Sequence, residues 1–350
     1  MNGKIEMTMS PENTLRQLIS SQVISRLIYV VAKLGIADLL KDGPRHYERL
    51  AELSQADSHS LYRVLRTLAG AGVFSETEPG IFEQTPVSQF LQADVPGSQH
   101  AVATLVWEPW WRRGWDELLY SVKTGKVAFN HVHGMDLFEV LSRDSEAAAL
   151  FNKAMHSFSE QEIDSILSAY DFSSFKKIVD IGGGHGGFIS AVLKAYPQIK
   201  GILFDLSHAV TTVGKPIEGN TIADRCELVA GDFFKSIPIG GDLYTLKSVI
   251  HDWNDERALE ILKNCYKAMA DSGRLILIER VIPSGNTPSP GKIMDIVMMV
   301  NLGGLERTVA EYQGLIEKAG FELIGIIPTT SAMSIIECAP IKNHNEDDTT

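Results

Sequence analysis

The stretch KKIVDIGGGHGGFISAVLKAYPQIKGILFDL, residues 176–206, contains two apolar runs separated by a glycine-rich turn and a helix-like segment. Gly182, Gly184 and Gly187 have the spacing G-x-G-x-x-G, and Asp205 stands at the end of the second apolar run. Apolar strands that alternate with helices form parallel sheets, and ligands bind beyond the carboxyl ends of their strands. The stretch therefore predicts an α/β fold with a ligand site at this turn, but the glycines alone do not identify the ligand.

The acidic residues around the turn bear on which ligand it holds. Asp180 lies two residues before Gly182, where its charge would repel the pyrophosphate of a nicotinamide dinucleotide. Asp205 is placed to accept hydrogen bonds from ribose hydroxyls in either ligand class. Asp232 and Phe233, after the third predicted strand, offer adenine a hydrogen-bond acceptor and an apolar wall. These features favour a cationic ligand without phosphates, and S-adenosylmethionine is such a ligand.

The composition is that of an ordinary globular protein. The chain has 350 residues, of which 44% are hydrophobic and 22% charged, enough for one large α/β domain and a smaller one. Its formal charge of −12 argues against a nucleic-acid partner. Three cysteines without metal-ligand spacing, Cys226, Cys265 and Cys338, indicate buried thiols in a reducing cytoplasm. The sequence shows neither a signal-peptide pattern nor a long apolar run, so we expect no membrane association.

The first hundred residues have the pattern of a winged helix. Apolar residues recur at helical spacing from Asn13 to Leu40, two short helical segments follow, and FSETEPGIFEQTP (residues 74–86) is typical of a hairpin that turns at Pro79-Gly80. Such a domain often binds DNA, but residues 41–94 contain five Lys or Arg against eight Asp or Glu. Because a DNA-reading helix needs cations for the phosphates, we interpret the domain as one used for dimerisation.

From residue 176 onward, apolar strand-like runs alternate with helical segments, which predicts a parallel sheet with helices on both faces. We therefore place a dimerisation domain at residues 10–100 and a second domain at residues 101–342. Within the second domain we expect a helical linker at residues 101–170 and the sheet core at residues 171–342.

The segment LKSVIHDWNDE, residues 246–256, places His251 just after the fourth predicted strand. Asn254 is the predicted N-cap of the helix that follows. A histidine at this edge of the sheet could serve as a general base, because its pKa suits proton transfer near neutral pH. The alternative is a loop histidine whose ring only packs. Glu279, ending RLILIE, and Glu306, in GGLERT, are the candidate carboxylates that would fix its tautomer.

The motifs VDIGGGHGG, FDL, GDFF, LKSVIHDWNDE and GGLERT resemble, in order and approximate spacing, those of the plant caffeic-acid type and bacterial polyketide O-methyltransferases. The resemblance extends over nearly the whole chain. It implies a Rossmann-like class I methyltransferase fold with a predominantly parallel seven-stranded sheet, S-adenosylmethionine as cofactor, and a homodimer formed through the N-terminal domain. The cofactor residues implied by the family pattern are Gly182, Asp205, Asp232, Phe233 and Lys247.

The resemblance also implies a reaction. His251 would take the proton from the acceptor hydroxyl, supported by Glu279 and Glu306, and the substrate would be a small hydroxylated aromatic metabolite. The residues expected to line the acceptor pocket are Met155, Met298 and Asn301. The loop around His251 shows no set of metal-ligating carboxylates, so we expect no metal and catalysis that is insensitive to chelators.

Three alternatives remain open on the sequence. Some enzymes of the same fold bind the cofactor but catalyse hydroxylation, decarboxylation or cyclisation, often without the histidine. A nicotinamide-dependent oxidoreductase is disfavoured by Asp180 and the GDFF motif. A winged-helix regulator is disfavoured by the acidic N-terminal domain.

Overall fold

The computed structural model describes residues 10–212 and 222–341. The chain divides into two compact units: residues up to Arg113 with Leu141–Phe158 form the first, and Gly114–Val140 with the residues from Ser159 onward form the second. The domain bounds expected from the sequence, 10–100 and 101–342, stay a proposal about which segments fold independently.

The helices are Pro11–Lys33, Ile36–Leu39, Tyr47–Ser54, Ser58–Gly70, His100–Leu105, Pro109–Asp116, Leu118–Thr124, Ala128–His133, Leu137–Arg143, Ser145–Ala169, Gly187–Ala195, Ser207–Thr212, Asp255–Ala268, Pro290–Asn301 and Val309–Lys318. Short 3₁₀ turns are found at Ser88–Leu91, Ala223–Arg225 and Ile250–Asp252. The strands are β1 (Arg45–His46), β2 (Phe74–Glu78), β3 (Ile81–Gln84), β4 (Lys177–Ile181), β5 (Lys200–Asp205), β6 (Cys226–Ala230), β7 (Leu243–Lys247), β8 (Arg274–Glu279), β9 (Val281–Ile282), β10 (Arg307–Thr308), β11 (Phe321–Pro328) and β12 (Ser334–Pro340).

In the first unit, helices pack on a small antiparallel sheet of order β1-β3-β2. The hairpin of β2 and β3 turns at Pro79-Gly80, as the sequence predicts. The single helix expected from Asn13 to Leu40 is wrong in one respect: it ends at Lys33, and the chain turns at Leu34 and Gly35 before Ile36–Leu39. Glycine has a low helix propensity, so the periodic apolar residues continue across a break in the helix.

The second unit is built around a seven-stranded sheet of order β11-β12-β8-β7-β4-β5-β6. Strands β4 to β8 are parallel, and β12 is antiparallel to both of its neighbours. From β4 the chain adds β5 and β6 on one side and then crosses back to add β7 and β8 on the other. The crevice between the carboxyl ends of β4 and β7 is therefore the switch point at which this class of sheet binds ligands.

Alternate residues of the parallel strands fill two cores. In β8, Leu275 and Leu277 pack into one buried cluster and Ile276 and Ile278 into the other, because successive side chains of a strand point to opposite faces. The predominantly parallel seven-stranded sheet expected from the motifs is confirmed. Among the described residues, no helix is both long enough and apolar enough to cross a membrane.

Candidate active site

The glycine-rich turn begins directly after β4. Gly182 and Gly184 have φ angles of 65° and 55°, a region that side chains other than glycine rarely adopt. A Cβ on Gly182 would lie 2.8 Å from Cγ2 of Val249, whereas a Cβ on Gly184 would meet no described atom within 4 Å. The backbone at Gly184 is thus open to a ligand, while Gly182 lets the turn pack against the loop after β7.

Asp180 lies beneath this turn and not on its ligand side, which corrects the role that the sequence analysis assigns to it. Its side chain is fully buried, and one carboxylate oxygen accepts a hydrogen bond of 2.9 Å from Thr245. A Cβ on Gly183 would approach the other oxygen to 2.5 Å. Burial raises the pKa of Asp180 to about 7, so repulsion of a pyrophosphate by a full, facing charge is not the reason for the ligand preference.

The second predicted cofactor residue, Asp205, is tied to the turn. Its Oδ2 accepts a hydrogen bond of 2.8 Å from the backbone N–H of Gly184, and its Oδ1 accepts one of 2.6 Å from that of Leu206. Each carboxylate oxygen can accept a further hydrogen bond. The structure therefore brings Asp205 to the glycine turn, at the end of β5, with acceptor capacity left for a diol.

Asp232 and Phe233 follow β6. Asp232 accepts a hydrogen bond of 3.0 Å from the backbone N–H of Phe234, which shapes its own turn. The ring of Phe233 packs edge-on against Trp253, with 6.1 Å between the centroids, and lies 3.7 Å from the position of a Cβ on Gly182. Phe233 thus reaches the glycine turn from the neighbouring strand, as a wall for a flat ring would.

Lys247, the remaining predicted cofactor residue, is held by an acidic partner that the sequence analysis missed. Its ammonium lies 2.8 Å from Oε2 of Glu162 and 3.2 Å from Oγ of Ser159. The other oxygen of Glu162 accepts a hydrogen bond of 2.7 Å from Arg280. The Lys247 ammonium therefore takes part in a buried three-residue ion pair, and its predicted contact with the cofactor stays a prediction.

His251 lies on the 3₁₀ turn that follows β7 and is only 6% exposed. Its Nδ1 is 2.9 Å from Oε1 of Glu306. Because an ionised carboxylate only accepts hydrogen bonds, Nδ1 carries the proton and donates it to Glu306, which leaves the Nε2 lone pair free in the neutral ring. Nε2 lies 3.5 Å from Oδ1 of Asp252.

The two predicted supporting carboxylates do different things. Glu306 contacts the imidazole, whereas Oε1 of Glu279 accepts hydrogen bonds of 3.0 and 2.8 Å from the backbone N–H groups of Val249 and Ile250. Oε2 of Glu279 is 3.9 Å from Nδ1 of His251. Glu279 therefore holds the loop and supplies a nearby negative charge, and Glu306 orients the ring.

Charge in this cluster decides its protonation. Burial by itself lowers the pKa of His251, but the negative charges of Glu279 and Asp252 and the hydrogen bond to Glu306 outweigh burial and raise the pKa to about 9. Burial also raises the pKa of Glu279, opposed by the positive charge on His251. The site thus stabilises the imidazolium, which is the form a general base reaches after it takes a proton.

Several functional neighbours have no signal in the local sequence. Arg307, fully buried, donates hydrogen bonds to the loop that carries His251. Arg280 lies 3.9 Å from Glu306, and Glu162 lies 85 residues before its partner Lys247. Only the position of Arg307, next to Glu306 in the motif GGLERT, could have drawn attention to it.

The predicted acceptor-pocket residues fall in both units. Met298 and Asn301 lie near the end of the helix Pro290–Asn301, and both are buried. Nδ2 of Asn301 donates a hydrogen bond of 3.2 Å to the carbonyl of Val297, and its Oδ1 accepts none from the described residues. Met155, on the helix Ser145–Ala169, belongs to the first unit and is 37% exposed.

The same histidine and glutamates were considered as a metal site. One ligand atom from each of His251, Glu279 and Glu306 lies within 4.8 Å of the others. The direct hydrogen bond between His251 and Glu306 accounts for their spacing with a proton alone. The expected independence from metals stays a prediction.

Comparisons with known proteins agree with this geometry. Residues 115–322 match the family model of the O-methyltransferase domain, and residues 16–94 match that of the O-methyltransferase dimerisation domain. Phenazine O-methyltransferase PhzM from Lysobacter antibioticus is 42% identical over 327 residues, which cover 93% of this chain and 96% of the relative.

Two solved structures extend the comparison. The crystal structure of LaPhzM has a TM-score of 0.88 at 42% identity, with 95% of this chain and 100% of that chain covered. CalO1, a methyltransferase in calicheamicin biosynthesis solved with bound SAH, has a TM-score of 0.85 at 31% identity, with 95% and 100% covered. The chain belongs to the S-adenosylmethionine-dependent O-methyltransferase family, as its motifs predict.

Proposed function

We propose that this protein transfers a methyl group from S-adenosylmethionine to a hydroxyl group of an aromatic secondary metabolite, with His251 as the general base. The observation that carries the proposal is the bond of 2.9 Å between Nδ1 of His251 and Glu306. It holds the imidazole in the tautomer whose Nε2 can take a proton. The same-fold alternative without methyl transfer and the nicotinamide-dependent oxidoreductase are not favoured, because the relatives are methyltransferases and the base is intact.

The residues at the carboxyl ends of β4, β5 and β6 fit the cofactor. Gly184 exposes backbone without a neighbouring atom within 4 Å of its Cβ position, and Asp205 beside it retains acceptor capacity for the ribose hydroxyls. Phe233 offers an apolar face for adenine. When bound, S-adenosylmethionine supplies a methyl group on a cationic sulfur that a nucleophile can attack.

The task of His251 follows from the chemistry of a phenol. A phenol releases its proton near pH ~10, by analogy with tyrosine, so little phenolate exists at neutral pH. Nε2 would accept the hydroxyl proton as the oxygen becomes the nucleophile, and Glu306 would stabilise the resulting imidazolium through Nδ1–H. A positioned base contributes about 10²–10⁴-fold to the rate.

The acceptor class is proposed from the relatives. The names of two of them refer to phenazine and to calicheamicin biosynthesis, both of which are secondary metabolites with aromatic rings. Met298 and Asn301 supply an adaptable apolar contact and a buried amide oxygen with free acceptor capacity. We propose these two, with Met155, as the acceptor contacts, and a small hydroxylated aromatic as the substrate.

We also propose a homodimer that functions in the cytoplasm. The chain contains the family's dimerisation domain, and the first helix carries an exposed apolar stripe at helical spacing, with Leu15, Leu18, Ile19 and Val23 all at least 50% exposed. A second copy of the chain would cover such a stripe. Neither nucleic acid nor a membrane is proposed as a partner.

The test is the substitution His251→Ala. We expect the rate of methyl transfer to fall by at least ~10²-fold, since general-base contributions begin at about that value, while the affinity for S-adenosylhomocysteine stays unchanged. Hydroxyphenazines and simple phenols serve as acceptors, and calorimetry measures the affinity. The matched control is His59→Ala, at an exposed position in the first unit. Retention of more than about a tenth of the rate would contradict the role of His251.

A further inference from the structure

Arg307 is the largest side chain that the structure buries completely. Its guanidinium donates hydrogen bonds of 3.1 Å to the carbonyl of Ile250 and of 2.8 Å to the carbonyl of Trp253. These two carbonyls flank His251 on either side in the loop. A buried cation is costly unless its donors are satisfied, so the guanidinium and the loop depend on each other for their conformation.

The segment that contains Arg307 contacts the His251 loop a second time through its backbone. The N–H of Leu305 donates a hydrogen bond of 2.9 Å to the carbonyl of His251 itself. At Gly304 the two backbones are so close that a Cβ would lie 2.0 Å from that carbonyl oxygen. Three consecutive carbonyl positions around the base are therefore held by residues 304–307.

Glu306 lies between these two anchors. Its neighbours Leu305 and Arg307 both bond the loop, and its own backbone N–H donates to Asp295 with a bond of 3.0 Å. The strand β10 then pairs in parallel with β9, with Arg307 opposite Val281. The distance between the imidazole and the Glu306 carboxylate is thus set by how residues 304–307 lie against the loop.

We infer that Arg307 is a positioning residue for methyl transfer: its guanidinium clamps Ile250 and Trp253 so that Nδ1 of His251 meets Glu306. Arg307 contacts neither acceptor nor cofactor in this role. The inference rests on the proposed function of His251 as the base. It assigns to Arg307 an effect on the chemical step that is separate from any effect on folding.

The clamp has one end that can be altered from outside. Oδ1 of Asp255 accepts hydrogen bonds of 3.0 and 2.9 Å from Nε and Nη2 of Arg307, yet the Asp255 side chain is 70% exposed. Asp255 is the first residue of the helix Asp255–Ala268 and Glu256 is the second. Both carboxylates lie in the first turn, but only that of Asp255 bonds Arg307 among the described residues.

The first experiment is Arg307→Lys, which keeps the charge and removes the planar fork. We expect kcat to fall on the order of 10²-fold, the loss that a displacement of about 1 Å from the productive geometry causes. The KM for S-adenosylmethionine and the calorimetric affinity for S-adenosylhomocysteine should change by less than about twofold. In ¹⁵N-histidine NMR, the hydrogen-bonded Nδ1 proton of His251, assigned by its loss in His251→Ala, should move upfield.

The second experiment compares Asp255→Asn with Glu256→Gln. Each removes one charge from the same helical turn, so their effects on the helix dipole are matched. We expect kcat to fall roughly tenfold in Asp255→Asn, since charge-assisted bonds are the strong ones, and to stay unchanged in Glu256→Gln. This pair decides the question if Arg307→Lys does not fold.

The outcomes separate this inference from the proposed function. If Arg307→Lys folds and keeps kcat within about threefold of wild type, or if Asp255→Asn and Glu256→Gln lower kcat equally, the clamp is not a positioning device. If His251→Ala keeps its rate, the proposed function itself fails, whatever the Arg307 variants do. Loss of rate in His251→Ala together with unchanged Arg307 and Asp255 variants overturns the inference alone.

Discussion

The glycine turn after β4 and the loop after β7 meet at neighbouring strand ends, with Gly182 against Val249, but they are held in different ways. The turn gets its shape from its own backbone, at φ angles that glycine adopts without strain. The loop gets its shape from Glu279, Glu306 and Arg307, which lie between 28 and 57 residues from the positions that they bond once Ile250 is counted against Arg307 and Trp253 as well.

This difference has a functional meaning. A backbone-built turn presents a fixed surface that a common cofactor can approach, and it tolerates few substitutions at the glycines. A loop braced by distant side chains can hold a charged base in a buried place, because each carboxylate and the guanidinium satisfies a group that would otherwise be costly. Variants should therefore affect cofactor binding and chemistry separately.

The largest effect is expected from a methyl group placed between the loop and its brace. Gly304→Ala would put Cβ 2.0 Å from the carbonyl oxygen of His251, so the loop must move, and kcat should fall on the order of 10²-fold. In Gly314→Ala the Cβ meets nothing within 4 Å, and replacing a helical glycine should raise stability by about 1 kcal/mol. Steady-state kinetics and thermal unfolding of both variants check the contrast, and an unchanged kcat in a folded Gly304→Ala would contradict it.

An intermediate effect separates the two glycines of the turn. Alanine at either position pays roughly 1–2 kcal/mol for its left-handed backbone, but only at Gly182 does Cβ also approach Val249, to 2.8 Å. Gly182→Ala should therefore lower the melting temperature more than Gly184→Ala does. Gly184→Ala should instead weaken S-adenosylhomocysteine binding, since its Cβ occupies the open side of the turn.

Thermal unfolding and calorimetric titration of the two glycine variants measure these quantities independently. Equal loss of stability in both variants would mean that the contact with Val249 is easily relieved. Unchanged affinity in Gly184→Ala would mean that the cofactor does not approach this part of the backbone.

The smallest effect is a shift along the pH axis. His251 must be neutral to act as a base, and its pKa is raised to about 9, so the acceptor kcat/KM should rise with pH up to that region. Glu279→Gln removes one negative charge 3.9 Å from Nδ1 while its amide oxygen can still accept from the loop. The pKa of His251 should fall, moving the rising limb to lower pH by about one unit.

A pH series of kcat/KM on wild type, Glu279→Gln and the control Glu256→Gln measures this shift. Glu256 lies in the first turn of the next helix and has no bond to the loop among the described residues, so its variant should follow the wild-type profile. A limb that moves to higher pH in Glu279→Gln would show that another group controls it.

Much of the fold could be predicted from the sequence because its signals are local. The apolar runs of β4, β5 and β8 and the N-cap at Asn254 appear where they are expected. The domain helix that breaks at Gly35 and the orientation of Asp180 could not be read in this way. In both cases a neighbouring element decides the outcome, by packing against the helix or by covering the carboxylate.

The candidate site shows the same limit. His251, Glu279 and Glu306 were identifiable by residue type and by their place at strand ends, but not which carboxylate bonds the ring and which holds the loop. The partners Glu162 of Lys247 and Arg307 of the loop were missed. Their contacts join segments far apart in the chain, and nothing in either segment alone records the pairing.

The sequence by itself determined the order of strands and helices, the glycine turn, and the placement of a histidine after the fourth strand of the sheet. These depend on backbone preference and on the period of apolar residues, which act over a few positions. Only the tertiary structure decided that Asp180 supports the turn from beneath, that Lys247 is paired with Glu162, and that Arg307 braces the base. The direction in which a buried polar side chain points is set by the partner that satisfies it, and that partner arrives from another part of the chain.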